Sequence, residues 1–288
     1  MYRAKKLGRN NTQFYEPAMN EEARERLRIE GALRSALERQ EFVLHYQPQV
    51  DLRSGRVVGM EALLRWQHPE LGMVAPHRFI GLAEETGLIV EIGAWVLRTA
   101  CAQARGWIDD GHGQLRIAVN LSPRQFGEPQ LLSAIAEVLR DTGLPPSCLD
   151  IELTEGLFMH DVAQAVELLH KLKALGLALS IDDFGTGYSS FSYLRHFPID
   201  VLKIDRSFVS DIGEDGEAAI VVSIIALAHN LKLRVIAEGV ETAGQLDYLR
   251  RHGCDEIQGY YFSPPLPAAD FEQLLRQGRD LRTSLAQA

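Results

Sequence analysis

The chain has 288 residues, 46% of them hydrophobic, and a formal net charge of -9 at pH 7. This length and composition suffice for one large core, and the acidic balance excludes broad, sequence-independent binding to nucleic acid polymers. The longest apolar stretch, 218–227, is interrupted by Ser223 and is far shorter than the roughly 18 residues of a membrane span, so we expect no membrane contact by this chain.

The basic N-terminal stretch is not followed by an apolar segment, so it does not resemble a secretory signal. The three cysteines, Cys101, Cys148 and Cys254, are odd in number and far apart. We therefore expect reduced, structural thiols in a cytoplasmic setting.

The first 40 residues differ in character from the rest. Residues 1–15 are basic and polar, and a helix is predicted to begin near Asn20, with acidic residues in its first turn. Ile29, Leu33, Ala36 and Leu37 then share one face of that helix. Two interpretations remain open: a connector between domains, or a helix packed beneath the main domain.

The next segment is predicted to form a β-hairpin. Apolar and polar residues of strand type occupy 43–50 and 56–66, and a turn segment, 51–55, separates them. The first two strands are therefore expected to be antiparallel.

From there to the C-terminus, short apolar runs alternate with stretches of helical periodicity such as 162–175 and 218–231. This alternation predicts a parallel sheet covered by helices. A polar or charged residue ends most runs, and only a closed barrel points so many strand ends at one mouth. The 41–278 segment is close to the roughly 250 residues of such a barrel, so we predict an α/β fold, a TIM-type (β/α)8 barrel with an antiparallel first strand. The residues at the strand ends are Glu61, Asn120, Glu152, Asp182, Lys203, Glu238 and Gln258.

Asp182 and Asp183 are adjacent at the end of one apolar run, before a glycine-rich turn. Two carboxylates in this position repel each other and lose hydration, which is costly unless a cation neutralises them. A divalent metal site is the first hypothesis. The alternative is that one aspartate caps the following turn while the other faces solvent.

The converging side chains are oxygen donors, apart from Lys203, and such donors select hard cations such as Mg²⁺ or Mn²⁺. No zinc-type histidine signature occurs in the chain. Asp182 is the natural bridge between two ions and Asp183 a ligand of the second, an arrangement suited to phosphoryl transfer. Lys203 then orients or helps to deprotonate a water molecule, or offsets charge on phosphorus oxygens; its alternative role is a structural ion pair.

Eight short motifs occur in order along the chain. They begin at Tyr46 (Tyr-Gln-Pro), Glu61 (Glu-Ala-Leu-Leu-Arg), Asn120 (Asn-Leu-Ser), Glu152 (Glu-Leu-Thr-Glu), Asp182 (Asp-Asp-Phe-Gly-Thr-Gly), Leu202 (Leu-Lys-Ile-Asp), Ala237 (Ala-Glu-Gly-Val-Glu) and Gln258 (Gln-Gly-Tyr). The Glu61 motif resembles the name-giving motif of the EAL-domain cyclic di-GMP phosphodiesterases, and the other seven support this resemblance, which runs from about residue 41 to residue 277.

The resemblance implies a barrel enzyme that linearises cyclic di-GMP to pGpG with two Mg²⁺ or Mn²⁺ ions, and it implies a homodimer. It implies metal ligation by Glu61, Asn120, Glu152, Asp182, Asp183 and Glu238, and catalytic roles for Lys203, Glu238, Asp183 and Glu61. It implies substrate or water binding by Gln47, Leu64, Arg65, Asp205, Glu241 and Gln258, and it gives Glu155 the role of steadying the loop 184–190.

Residues 1–10 with Phe14 and Tyr15 are similar to the end of a GGDEF domain, although no Gly-Gly-Asp-Glu-Phe motif occurs in the chain. The expected organisation is a domain remnant over 1–18, a linker helix over 19–40, the barrel over 41–278 and a tail over 279–288. This resemblance implies a piece of a longer signalling protein, and whether that protein is anchored in the inner membrane stays open.

Two other functions remain as alternatives. The first alternative is a receptor that binds cyclic di-GMP without cutting it. The second is a magnesium-dependent barrel enzyme that acts on another anionic substrate, for example by stabilising an enolate.

Overall fold

A computed structural model describes residues 17–159, 162–185, 194, 196–213 and 218–281. Ten strands of this part of the chain form one sheet. The strands are β1 (Phe42–Asp51), β2 (Val57–His68), β3 (Gly72–Val74), β4 (Arg116–Leu121), β5 (Leu149–Thr154), β6 (Ala178–Phe184), β7 (Val201–Ile204), β8 (Arg234–Glu238), β9 (Glu256–Gln258) and β10 (Leu266–Pro267).

Eight of these strands close into a barrel, and β1 runs opposite to the other seven. It pairs antiparallel with β2 on one side and with β9 on the other. All remaining neighbours around the barrel, from β2 through β4 to β9, are parallel. The predicted hairpin and the predicted barrel with an antiparallel first strand are therefore confirmed. Short strands β3 and β10 extend the sheet beyond β2 and β1.

Helices surround the barrel. The predicted helical stretches 162–175 and 218–231 are confirmed to within one residue at each end. No helix in the described ranges combines the length and hydropathy needed to cross a membrane. The helices are α1 (Pro17–Ala36), α2 (Pro76–Thr86), α3 (Ile89–Asp109), α4 (Pro123–Phe126), α5 (Leu131–Thr142), α6 (Val162–Ala174), α7 (Arg206–Ser210), α8 (Ala219–Asn230), α9 (Ala243–Arg251) and α10 (Ala268–Arg276).

The apolar core lies between the strands and the helices. In α3, Ile92, Val96 and Ala100 recur at four-residue spacing and are buried against the sheet. Trp107, near the end of α3, packs edge-on against Tyr46 of β1 with ring centroids 4.9 Å apart. Helix α3 thus packs against β1, β2 and β4.

The barrel interior below the mouth contains buried charged side chains. Arg116 of β4 and Arg234 of β8 bracket the Glu256 carboxylate at 2.5 and 2.6 Å. The Ser180 hydroxyl on β6 donates to the Asp150 carboxylate on β5 at 2.7 Å. Buried charges are tolerated only when they are paired and hydrogen-bonded. These pairs therefore tie strands from different parts of the chain together beneath the site.

The N-terminal helix α1 packs on the barrel. Ile29, Leu33 and Ala36 are buried on one face, as the periodicity predicted, and the Arg28 side chain reaches Glu70 at 2.5 Å. The helix begins at Pro17, three residues before the expected start at Asn20. It ends at Ala36, four residues before the expected end of the linker at residue 40. The domain remnant predicted over 1–18 lies almost entirely outside the described residues.

The start of the predicted tail also packs on the barrel, because Leu281 is buried and its amide donates to the Gly55 carbonyl oxygen at 2.9 Å. The three cysteines are free and buried. Burial raises the pKa of the Cys101 and Cys254 thiols to about 12, which agrees with unreactive structural thiols.

Candidate active site

Lys203 of β7 occupies the centre of the barrel mouth and is fully buried. Its Nζ lies 2.7 Å from Glu238, 2.8 Å from Glu152, 3.1 Å from Asp182 and 3.5 Å from Glu61. These acids come from four other strands, so the predicted convergence at the mouth is observed. Burial by itself lowers the pKa of an ammonium, but the surrounding carboxylates outweigh it and raise the pKa of Lys203 well above its ordinary value.

One ammonium does not balance these acids. Burial, together with repulsion from neighbouring acids, raises the pKa of Glu152 well above its usual range and that of Glu238 to about 8, in spite of Lys203. Neither oxygen of Glu152 accepts a well-aligned hydrogen bond from the described residues, and its charged partner there is Lys203, at 2.8 Å. A buried carboxylate in this state is costly unless a cation joins it. The cluster therefore fits a bound metal ion, and its oxygen donors suit a hard divalent cation.

A break in strand β6 turns both adjacent aspartates toward the mouth. The register with β7 shifts between Ile181 and Phe184, and Asp183 adopts a left-handed backbone conformation with φ of +53°. Consecutive residues of a regular strand point to opposite faces, but here oxygen atoms of Asp182, Asp183 and Glu238 lie within 4.8 Å of one another. This grouping favours the metal hypothesis over the turn-cap hypothesis.

The environment of Asp183 is acidic. Burial raises the pKa of Asp183 to about 6, with further contributions from Asp182 and from Asp205, which also hydrogen-bonds to it. The Asp205 carboxylate in addition caps α7, accepting from the Ser207 amide at 3.0 Å. Asp205, predicted to bind substrate, thus contacts Asp183 and fixes the start of a helix.

Amide side chains hold Glu61 in place. Asn120 Nδ2 donates to one Glu61 oxygen at 2.6 Å, and Gln258 Nε2 donates to the other at 2.5 Å. Gln258 also donates to Gln47 Oε1 at 3.1 Å. Although burial raises the pKa of Glu61, Lys203 and these two donors outweigh it and lower the pKa. Glu61 therefore stays ionised at the base of the mouth.

The remaining predicted residues lie around this centre. Arg65 is half-buried and faces Glu61 and Tyr260, and its Nη1 donates to the Leu64 carbonyl oxygen at 2.9 Å. Glu241 lies at the rim, 3.8 Å from Arg206.

Glu155 was predicted to steady the loop 184–190. Its carboxylate accepts from the Gly185 amide at 3.2 Å. The rest of that loop, 186–190, lies outside the described residues.

Two neighbouring cavities open here and share Leu63. An apolar one of about 300 Å³ lies between β2, β4, α2 and α3 and includes Leu64, Arg65 and Asn120. The acidic one has a volume of about 240 Å³. Its lining residues are Gln47, Glu61, Leu63, Asp182, Arg206, Glu238, Gly239, Glu241, Gln258, Gly259 and Tyr260.

Arg206 and Tyr260 also line the acidic cavity, although neither was predicted as a site residue. Arg206 directly follows the Lys-Ile-Asp motif, and Tyr260 is the last residue of the Gln-Gly-Tyr motif. Tyr260 is 64% exposed at the rim, which is unusual for a large aromatic side chain. The available signal was position directly after a motif for Arg206 and position within a motif for Tyr260.

Gly259 allows the segments that follow β8 and β9 to approach closely. A Cβ at this position would lie 2.2 Å from the Val240 carbonyl oxygen and 2.3 Å from its amide nitrogen, and backbone cannot move aside cheaply. We expect Gly259→Ala to lower the free energy of unfolding by about 1–3 kcal/mol, measured by urea denaturation. Gly106→Ala is the control, because that helical glycine has nothing within 4 Å of an added Cβ; it should be neutral or slightly stabilising. Equal stability of both variants would contradict the close approach.

Glu155 gives a second prediction, because it anchors the backbone next to the paired aspartates. We expect Glu155→Ala to weaken Mn²⁺ binding about 10- to 100-fold, as loss of a group that orients metal ligands typically does. Titration calorimetry measures the affinity. Glu155→Gln is the matched control, since its amide oxygen still accepts from Gly185 and should retain most of the affinity. Unchanged Mn²⁺ binding in Glu155→Ala would refute the anchoring role.

Comparison with known proteins agrees with this geometry. The family model described as the EAL domain matches residues 30–265. The bifunctional diguanylate cyclase/cyclic di-GMP phosphodiesterase MucR of Pseudomonas aeruginosa is 49% identical over 276 residues, covering 96% of this chain and 40% of MucR. The cyclic di-GMP phosphodiesterase NbdA of the same organism is 45% identical over 280 residues, covering 97% of this chain and 36% of NbdA.

A solved structure of the PaMucR phosphodiesterase in complex with c-di-GMP is also similar. It has a TM-score of 0.82 and 47% sequence identity, and the match covers 85% of this chain and 99% of that chain. The present chain spans well under half the length of MucR and NbdA. The match to the EAL model across most of the sequence, together with these identities, shows that the chain belongs to the EAL domain family.

Proposed function

We propose that this chain is a metal-dependent phosphodiesterase that hydrolyses cyclic di-GMP to linear pGpG. The observation that carries the proposal is the buried cluster around Lys203, in which acids from separate strands outnumber the one cation among them. The names of MucR and NbdA support the choice of substrate.

The chain's own donors support two cation sites. Glu61, Asn120, Glu152 and Asp182 form the donor set proposed for the first ion. Asp182, Asp183 and Glu238, whose oxygen atoms already group within 4.8 Å, form the set for the second. When bound, two Mg²⁺ or Mn²⁺ ions lower the pKa of a water molecule and polarise the phosphoryl oxygens of an in-line displacement.

The residues around the proposed cation sites are suited to orient the attacking water and to transfer protons. With its pKa held high, Lys203 carries an ammonium, which suits it to orient the attacking water or to offset charge on the phosphorus oxygens. Glu238 and Asp183 border the same space, and Glu61 is held ionised by its amide donors. Gln258 and Gln47 extend this hydrogen-bonded chain along the cavity wall.

Substrate binding is proposed for the groups at the edge of the mouth. Arg65, a forked cationic donor, suits a phosphate oxygen, and Leu64 lines the adjoining apolar cavity. Glu241 and Asp205 complete the proposed set.

Hydrolysis of cyclic di-GMP by the purified chain tests the proposal. With Mg²⁺ or Mn²⁺ present, chromatography should show cyclic di-GMP converted to pGpG, and a chelator should stop the conversion. Tight binding without product would identify a receptor instead. Failure to bind cyclic di-GMP would point to another anionic substrate.

The setting of the domain is part of the same proposal. We propose a homodimer, which light scattering coupled to size-exclusion chromatography would detect, in a cytoplasmic setting. The 36–40% coverage of NbdA and MucR supports a longer parent protein with α1 as a linker helix. Because Ile29, Leu33 and Ala36 of α1 are buried, a linker helix at this position would also pack on the barrel.

A further inference from the structure

Arg206 is the only basic residue among the described residues that line the acidic cavity. It is the first residue of α7, three positions after Lys203 at the end of β7. Lys203 is fully buried beneath the cavity, whereas the Arg206 side chain is 71% exposed at its rim. The two cations therefore act at different depths.

The stem of Arg206 is held in a fixed path across the rim. A Cβ on Gly239 would lie 2.4 Å from Arg206 Cγ and 2.7 Å from its Cβ, so the side chain crosses the backbone next to Glu238 where only glycine leaves room. The backbone of Arg206 is set by the cap that Asp205 places on α7. Both constraints direct the side chain along the acidic cavity.

The guanidinium itself is held weakly. Its ion pair among the described residues is with Glu241, at 3.8 Å, and that carboxylate is 47% exposed. Exposed pairs of this length contribute little. The guanidinium is therefore free to exchange Glu241 for a stronger anionic partner, and a phosphate accepts its fork of donors in a bidentate manner.

The charge at the mouth indicates what that partner is. The charge of Lys203 and of the two divalent cations of the proposed function equals in magnitude that of the carboxylates at the centre. The centre therefore has no excess positive charge. These carboxylates belong to Glu61, Glu152, Asp182, Asp183 and Glu238. Cyclic di-GMP carries two phosphodiester groups on one small ring, and hydrolysis engages only one of them at the centre. The other phosphate stays outside this centre, and among the described residues the cation that lines the cavity toward the rim is Arg206.

Resting on the proposed function, we infer that Arg206 binds the phosphate of cyclic di-GMP that is not cleaved. It acts in both the ground state and the transition state, because this phosphate does not react. Uniform binding of this kind changes KM and leaves kcat nearly constant.

Kinetics on Arg206→Ala test the inference. KM for cyclic di-GMP should rise about 10- to 100-fold, as expected for loss of a hydrogen bond between charged groups, and kcat should stay within about threefold. Arg206→Lys should recover part of the loss, because it keeps the charge and loses the fork.

Arg140→Ala is the matched control. Arg140 is 72% exposed and pairs with Glu137 at 3.9 Å, much as Arg206 pairs with Glu241, but it lies at the C-terminal end of α5, on the side of the barrel away from the mouth. Its replacement should change neither KM nor kcat. An Arg206→Ala variant that behaves like Arg140→Ala would overturn the inference.

Two further measurements separate the possible failures. A hydrolysis-resistant phosphorothioate analogue of cyclic di-GMP gives the dissociation constant directly, so a wild-type chain that binds but does not cut refutes the proposed function and still tests Arg206. A wild-type chain that binds no analogue refutes both.

In the Glu241→Gln background the effect of Arg206→Ala should persist. Its disappearance would mean that Arg206 acts only by holding Glu241, which would overturn direct contact with phosphate.

Discussion

The Lys203→Met variant is expected to lose about 10²- to 10⁴-fold in kcat, the range seen when a positioned acid–base group is removed. KM should change much less, because a group that orients the attacking water acts mainly in the transition state. Steady-state kinetics with cyclic di-GMP and saturating Mn²⁺ measure both constants.

The same variant separates catalysis from structure. Without divalent ions, Lys203→Met leaves the four neighbouring carboxylates without their cation, and the free energy of unfolding should fall by about 3–5 kcal/mol. Added Mn²⁺ should restore most of this stability but not the turnover. If Mn²⁺ restores both, Lys203 is only a structural ion pair.

Lys173→Met is the control for this experiment. Lys173 pairs with Asp200 at 2.7 Å and also donates to the Leu177 carbonyl oxygen, at the end of the barrel where the parallel strands begin. Its loss should reduce stability without altering kcat, since no part of the mouth depends on it.

The second large effect is expected for Asp182→Asn. Asp182 contacts Lys203 at 3.1 Å and groups with Asp183 and Glu238, so it belongs to both proposed cation sites. Loss of its charge should weaken the second Mn²⁺ in particular and lower turnover about a thousandfold, since metal stabilisation of the transition state is worth several kcal/mol. Calorimetry and the chromatographic assay follow the two effects.

Asp150→Asn tests whether that effect is specific to the mouth. Asp150 is a buried carboxylate of the same barrel interior, but its partner is the Ser180 hydroxyl, one layer below the site. An asparagine can still accept that hydrogen bond, so Mn²⁺ binding should be retained. Near-normal turnover in Asp182→Asn, or an equal loss in both variants, would remove the metal assignment.

The barrel could be predicted from the sequence because it depends on periodic patterns and on local turn residues. The apolar runs and the helical periodicity between them predicted the parallel strands, and the turn 51–55 predicted the antiparallel start. The residues at strand ends followed from the same periodicity. Glu61, Glu152, Asp182 and Glu238 therefore converge as expected, because a closed barrel leaves strand ends no other place to point.

Other features depend on contacts between distant segments. A regular strand would have turned Asp183 away from the mouth, and the register shift with β7 and the left-handed φ turn it inward. The ionic layer of Arg116, Arg234 and Glu256 joins residues that are 22 and 140 positions apart. Neither feature has a local signature.

The amino-acid sequence by itself determined the order of strands and helices, the antiparallel start and the set of acids, since these depend on periodicity and residue type along the chain. Only the tertiary structure decided that Lys203 is buried among the acids and that Arg206 lies at the rim. The physical reason is that burial, pKa and the balance of charge depend on neighbours brought together by barrel closure, and those neighbours are far apart in sequence.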